Sequence, residues 1–116
     1  MHEMSLVGDV IDVVLRYAAE NDAKQIVSVR LRIGVMRDVV DELLQSCFSY
    51  LSRDTIAQGA MLEVEKVPFK ARCCDCGLVF PADPRKPKSL MCPDCASKKL
   101  SIFSGSEFMI DSIEVK

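Results

Sequence analysis

The chain has 116 residues and a formal net charge of −2, with 49% hydrophobic and 28% charged side chains. This size admits one compact domain or two small modules and excludes most large catalytic architectures. The composition is that of a globular chain, and no apolar run approaches the roughly eighteen residues that a membrane span needs. The first residues also lack the basic and hydrophobic regions of an export signal, so we expect a cytoplasmic protein.

The first third of the chain has the periodicity of a helix followed by a strand. Apolar residues recur at three- and four-residue spacing behind Ser5, a candidate N-cap, and predict an amphipathic helix over residues 5–21. Apolar and polar residues then alternate strictly over residues 27–33, which predicts a half-buried strand. Gly34 is predicted to end this strand.

Three further elements complete the predicted secondary structure. Helical spacing returns between residues 38 and 51, and a second strand is predicted at residues 61–67. A last strand is predicted near residues 107–115, where the apolar phase shifts close to Asp111 in the manner of a bulge or twist. The sequence therefore predicts an α+β fold with two helices packed on a three-stranded sheet.

The charge of the chain is divided unevenly along its length. Residues 1–65 hold eleven acidic and six basic side chains, residues 66–100 hold three and eight, and residues 101–116 hold three and one. All five prolines also lie in the basic middle segment, which places a boundary near Pro68. Because the last segment is acidic like the first, we expect it to return to the first sheet and the middle to be an insertion.

Four of the six cysteines form two Cys-x-x-Cys pairs, Cys73 with Cys76 and Cys92 with Cys95, separated by fifteen residues. Two thiolates on such a tight turn lie about one coordination edge of Zn²⁺ apart, and two turns complete a tetrahedral shell. The spacing is that of a zinc ribbon and predicts a structural zinc site.

The residues around these pairs give further expectations. Gly77 suits the left-handed position after the first pair, whereas Ala96 at the equivalent position predicts a looser second turn. Cys47 and Cys74 lie outside the pattern and are predicted to be bystanders, with Cys47 buried and unreactive on the second helix. The alternative to zinc is a redox-active dithiol, and the presence of a second pair argues against it.

The single histidine is His2, next to the amino terminus. We expect Met1 to be retained because the side chain after it is large, which leaves a free amine beside the imidazole. This amine, the backbone nitrogen of His2 and its ring can close fused chelate rings around an ion such as Ni²⁺ or Cu²⁺, with Glu3 as a fourth donor. The alternative is a frayed, solvated terminus, which the residues taken alone favour.

The whole pattern resembles the HypA/HybF family of hydrogenase nickel incorporation proteins over essentially the full chain. The resemblance rests on the start Met1-His2-Glu3-Met4-Ser5, on Arg32-Ile33-Gly34 ending the first strand, on the knuckles Cys73-x-x-Cys76-Gly77 and Cys92-Pro93-x-Cys95, and on the closing Ile113-Glu114-Val115.

The resemblance implies a nickel metallochaperone. Its nickel-binding α/β domain would comprise residues 1–67 and 104–116, and its inserted, zinc-ribbon-like domain residues 68–103. The resemblance assigns Ni²⁺, the cargo, to His2 with Glu3 and the Met1 amine assisting, and a structural Zn²⁺ to the cysteines of the two pairs: Cys73, Cys76, Cys92 and Cys95. Some family members use an acidic residue after the first strand, but Val40 stands at about that place between Asp38 and Asp41, so this role is not assigned.

The resemblance also implies partners, and the residues of the chain offer little for catalysis. Family members deliver nickel to the large-subunit precursor of nickel-iron hydrogenase together with the GTPase HypB, and some serve urease maturation with urease accessory proteins. The chain offers no second histidine, no phosphate-binding loop and no open position on the predicted zinc, so we expect a protein that is not an enzyme. A homodimer remains open, and no membrane partner is expected.

The alternative function is a zinc-ribbon module that binds nucleic acid or protein through the basic middle segment. Zinc with four thiolates contributes −2 and reduces the charge of residues 66–100 from +5 to +3. That is modest for a phosphate-binding face, and the acidic remainder opposes it, so nucleic acid is not the expected partner. A basic face that contacts an acidic protein is at least as well supported.

Overall fold

A computed structural model describes residues 3–116, so the predicted donors Met1 and His2 lie outside the described residues. The regular elements follow one another as α1 (Glu3–Glu20), β1 (Ile26–Gly34), α2 (Asp41–Leu51), β2 (Met61–Val67), β3 (Lys70–Cys73), β4 (Val79–Pro81), β5 (Leu100–Ser104) and β6 (Phe108–Val115). Short 3-10 helices lie at Val35–Arg37 and Pro87–Ser89. None of the described helices is long and apolar enough to cross a membrane.

The chain forms two compact units. The first consists of the chain up to Arg32 together with Asp38–Glu65 and Met109–Lys116. The second consists of Ile33–Arg37 and Lys66–Phe108, and the predicted inserted segment lies within it.

Helix α1 buries one apolar stripe, as its periodicity predicts. The buried residues are Val7, Val10, Ile11, Val14 and Ala18. The helix begins at Glu3, two residues earlier than predicted, and Ser5 therefore lies inside its first turn. The prediction that Ser5 is the N-cap is wrong.

The first sheet has the strand order β2-β1-β6. The central position of β1 explains why Val29, Leu31 and Ile33 are fully buried. The backbone N–H of Lys116 donates to the carbonyl of Gln25 at 2.8 Å, so the end of β6 lies beside the start of β1. The predicted return of the last segment to the first sheet is therefore confirmed.

Helix α2 is shorter and more exposed than predicted. It begins at Asp41 because Asp38 has a φ of 51°, a left-handed conformation that ends the preceding 3-10 helix and cannot start an α-helix. Only Leu44 and Phe48 of the helix are buried. The prediction of a buried Cys47 is wrong, since this residue is half-buried.

The phase shift predicted in the last strand is confirmed by the burial of β6. Phe108 and Ile110 are half-buried, two exposed residues follow, and Ile113 and Val115 are again half-buried. The two faces of the strand exchange at Asp111, so its apolar residues keep contact with the protein along the whole strand.

The second unit is built on an antiparallel sheet with the order β4-β3-β5. Its central strand places Ala71 opposite Phe80 of β4 and opposite Ile102 of β5. The core of the unit is a small cluster formed by Phe69, Ala71, Cys73, Phe80 and Cys92. Two of the predicted zinc ligands therefore belong to the core of this unit.

Gly34 and Gly105 make a close backbone contact within the second unit. A Cβ atom on Gly34 would overlap the carbonyl group of Gly105, and the N–H of Gly34 donates to the carbonyl of Glu107 at 2.8 Å. Gly105 itself has a φ of 109° and lies against the backbone of Phe69. Only glycine fits at residue 34, because the overlapping atoms are main-chain atoms that no rotamer change can move.

Replacing Gly34 by alanine should therefore destabilise the protein. We expect Gly34→Ala to lower the free energy of unfolding by about 2 kcal/mol or more, as for other overpacked sites. Gly8→Ala is the control, because Gly8 is in α1 and its Cβ would meet a side-chain atom only at 4.0 Å. The control should raise stability by up to about 1 kcal/mol. Urea denaturation of the zinc-loaded protein measures both, and equal stabilities would contradict the close contact.

Candidate metal centre

The two Cys-x-x-Cys segments fold into two turns with the same backbone pattern. In the first, the N–H of Gly77 donates to the carbonyl of Cys73 at 2.9 Å, and the N–H of Cys76 points at the Cys73 sulfur at 3.4 Å. In the second, Ala96 and Cys95 make the same two bonds to Cys92, at 2.9 and 3.5 Å. Each turn therefore presents two sulfurs toward the other turn.

The four sulfurs meet at one place. All lie within 4.8 Å of one another, with 3.5 Å between the sulfurs of Cys73 and Cys95 and 3.5 Å between those of Cys76 and Cys92. Zinc-sulfur bonds of about 2.3 Å give a tetrahedral sulfur-sulfur edge of about 3.8 Å, and a disulfide would need about 2.05 Å. The separations thus fit a tetrathiolate zinc site, and all six cysteines are free thiols.

A metal ion bound by these sulfurs would lie at the edge of a small core. Cys73 and Cys92 are buried in the cluster of the second unit, whereas Cys76 and Cys95 are exposed. Four sulfur ligands leave no coordination position for a water or a substrate. Such a closed set of ligands is typical of structural zinc.

Backbone amides make one of the four thiols unusually acidic. The pKa of Cys73 falls to about 6 because the N–H of Cys76 donates to its sulfur, against the effect of burial. The pKa of Cys95 rises to about 12: the Ser97 N–H lowers it, but the hydrogen bond to Cys73 and burial outweigh that effect. We therefore expect metal binding at this cluster to be coupled to the loss of thiol protons.

The prediction that the second turn is looser than the first is wrong. Ala96 has a φ of 60° and Gly77 a φ of 81°, so alanine adopts the same left-handed conformation as glycine. The second turn is not looser, and its backbone strain of about 1 kcal/mol remains in the folded protein. Nothing lies within 4 Å of a Cβ on Gly77, so conformation rather than space decides both positions.

Substitutions at residues 77 and 96 should change the free energy of unfolding in opposite directions. We expect Ala96→Gly to raise the free energy of unfolding by about 1 kcal/mol and Gly77→Ala to lower it by a similar amount. Thermal unfolding of the zinc-loaded variants measures both changes in stability. Changes of the same sign would mean that the two turns are not equivalent.

A side-chain hydrogen bond also joins the two turns, and it is not among the predictions made from the sequence. The hydroxyl of Ser97 donates to the carboxylate of Asp75, and the N–H of Lys99 donates to the same hydroxyl at 3.1 Å. Asp94 occupies the equivalent place in the second turn, but Leu78 stands where its serine partner would be. The link between the turns is therefore present on one side of the site.

This asymmetry gives a matched test of the link. Asp75→Ala should speed the loss of zinc to a chelator about fivefold, the effect of one lost hydrogen bond of about 1 kcal/mol. Asp94→Ala removes the same charge from an exposed residue and should leave the release rate nearly unchanged. The rate of zinc transfer to a chromogenic chelator checks both. Equal acceleration would assign the effect to charge instead of the Ser97 link.

The predicted nickel donor within the described residues is Glu3, the first residue of α1, which is half-buried. Asp41, which was assigned no role, lies in the first turn of α2. Within residues 3–116, the four cysteines form the only group of histidine, cysteine and carboxylate side chains close enough to hold a metal ion. Cys74 is exposed and outside this group.

A two-helix α+β unit followed by a four-cysteine metal site defines a small metal-handling protein. A family model described as hydrogenase/urease nickel incorporation, metallochaperone, hypA matches residues 1–115. The chain therefore belongs to the HypA family of nickel incorporation metallochaperones that serve hydrogenase and urease maturation.

Relatives and solved structures agree with this family. Hydrogenase maturation factor HypA of Dehalococcoides mccartyi is 38% identical over 115 residues, covering 99% of this chain and 94% of the relative. The same factor of Rhodopseudomonas palustris is 36% identical and is covered to 99%. The solution structure of the nickel metallochaperone HypA from Helicobacter pylori superposes with a TM-score of 0.70 at 28% identity, covering 99% of this chain and 97% of that one. Another HypA solution structure gives 0.78 at 27% identity, covering 100% and 97%.

Proposed function

We propose that this protein binds Ni²⁺ at its amino terminus and delivers it to the large-subunit precursor of nickel-iron hydrogenase. The family match carries the proposal, because it begins at residue 1 and so includes the terminal Met-His-Glu segment. The description of the matched family names urease as well, so urease is a second candidate recipient.

The proposed nickel ligands are the Met1 amine, the backbone nitrogen and ring of His2, and Glu3. The fused chelate rings of this segment favour a planar set of nitrogen donors, which suits Ni²⁺. Glu3 begins α1, where the first backbone N–H groups of a helix have no partner within the helix. A carrier must also release its cargo, and a terminal set of few ligands allows a partner to exchange them one by one.

The proposed zinc site has a separate role. Bound zinc would neutralise the thiolates of Cys73, Cys76, Cys92 and Cys95 and hold the two turns together, with two of these residues in the core of the second unit. Its four sulfur ligands would keep nickel out of this site once zinc is bound. We therefore propose domain limits of 1–67 with 104–116 for nickel and 68–103 for zinc, and a carrier that is not an enzyme.

The proposed partners follow from the need for release. Delivery requires the hydrogenase precursor, and GTP hydrolysis, where it drives delivery, comes from the GTPase HypB. Urease accessory proteins and a second copy of the chain are further candidate partners, and the cytoplasm is the proposed compartment. The family's role in hydrogenase maturation supports these partners as a class.

Removing the imidazole of His2 should affect nickel binding and leave zinc binding unchanged. We expect His2→Ala to lose the single bound nickel while keeping one zinc per chain, because the two sites share no ligand. Metal analysis after dialysis measures both, on protein with its native amino terminus. Glu3→Gln is the milder variant and should weaken nickel binding without abolishing it.

A one-residue extension of the amino terminus is the control for the amine. It keeps His2 but moves the amine out of the chelate, so nickel affinity should fall there as well. Retention of nickel by both proteins would place the site elsewhere, and parallel loss of zinc would mean that the sites are not separate.

A further inference from the structure

The zinc-binding unit carries two adjoining cavities that the metal site does not use. One, of about 480 Å³, is lined by Pro87, Lys88, Leu90, Met91 and Lys98. The other, of about 230 Å³, shares Leu90 and Lys98 with it and continues over Leu100 to Ile102 of β5. Together these cavities form one groove, which we call the Leu90 groove.

The floor of the Leu90 groove is apolar and fixed to the core. Leu90 and Leu100 are half-buried and pack against the cluster that contains Cys73 and Cys92. At its two ends, Met91 and Ile102 are 44% and 53% exposed. Surface apolar residues grouped in a concave site, as these are, are typical of binding sites.

The rim of the groove is basic. Lys88 and Lys98 line it, and among the described residues no carboxylate does. The ion pairs found in the described part of the chain, Arg32 with Glu65 and Arg85 with Asp83, involve neither lysine. Residues 84–100 contain five basic side chains and one acidic one. A ligand of this groove should therefore be acidic as well as partly apolar.

The groove also runs beside an open sheet edge. In the described residues β5 pairs with β3 and is the outer strand of its sheet. An outer strand has unpaired backbone groups that can bond to an added extended segment. The side chains of Ser101, Ile102 and Phe103 on this strand are exposed.

These features point to a peptide more than to a nucleic acid. Single-stranded nucleic acids need exposed aromatic side chains on which bases stack. The one aromatic residue that lines the groove, Phe69, is 8% exposed, and the exposed Phe103 of β5 lines neither cavity. We propose that the Leu90 groove binds an extended acidic segment of a partner protein, anchored by an aliphatic side chain over Leu90. This proposal does not depend on nickel binding.

The test selects a ligand without assuming its sequence. A library of linear peptides displayed on phage is panned against the full, zinc-loaded chain, and an enriched peptide is synthesised with a fluorescent label. We expect enriched peptides to combine acidic residues with one or two aliphatic ones. Enrichment of basic peptides, or of none, would overturn the proposal.

Two double variants then locate the site by fluorescence anisotropy. Lys88→Glu with Lys98→Glu should weaken binding of the peptide about tenfold or more, because like charges then face each other. Lys86→Glu with Lys99→Glu makes the same change of charge on neighbours that line neither cavity, and should weaken it about threefold at most. If both double variants weaken peptide binding equally, the effect is due to net charge alone, and the proposal is overturned.

Two methionine-to-serine variants test the apolar contact between the groove and the peptide separately. Met91→Ser alters the exposed end of the groove and should weaken the peptide, while Met61→Ser alters a residue of β2 that is 61% exposed and should not. Zinc content and the cooperativity of thermal unfolding check that each variant is folded. Binding of a single-stranded oligonucleotide is tested in parallel. If the double variant of Lys88 and Lys98 loses oligonucleotide binding but keeps peptide binding, the groove is a nucleic-acid site instead.

Discussion

The second unit depends on the convergence of four sulfur atoms. They come from two turns that are nineteen residues apart along the chain, and two of the four belong to a core of only five buried residues. A core of this size supplies little hydrophobic stabilisation, and four crowded thiols cannot all ionise without a cation. We therefore expect metal binding to stabilise the folded second unit, and with it the Leu90 groove, whose floor packs on the same core.

The sequence predicts those features that follow from local chemistry. The spacing of Cys73 and Cys76 specifies a turn, and the strict alternation of β1 specifies its buried face, so both predictions are confirmed. The predicted start of α2 was wrong because Asp38 adopts a left-handed conformation, which the apolar periodicity of a sequence does not reveal.

Features that depend on distant parts of the chain could not be predicted in the same way. The Ser97 link needs the two turns to face each other, and the groove needs a 3-10 helix to lie near β5. The left-handed Ala96 shows a different limit, since a metal site can hold a residue in a conformation that its own propensity opposes. The repeat of aspartate at residues 75 and 94 was the one signal that could have indicated the link.

The short segment Ile33–Arg37 has a consequence for dissection of the protein. It belongs to the second unit, although it precedes the rest of that unit by some thirty residues. The N–H of Met36 donates to the carbonyl of Gly105 at 2.9 Å, and the side chain of Arg37 donates to the carbonyl of Ser106 at 2.7 Å. A fragment cut at residues 66 and 108 would leave these carbonyls without their partners. A fragment that keeps every residue of the second unit is therefore discontinuous in sequence, and making it requires a new connection between Arg37 and Lys66.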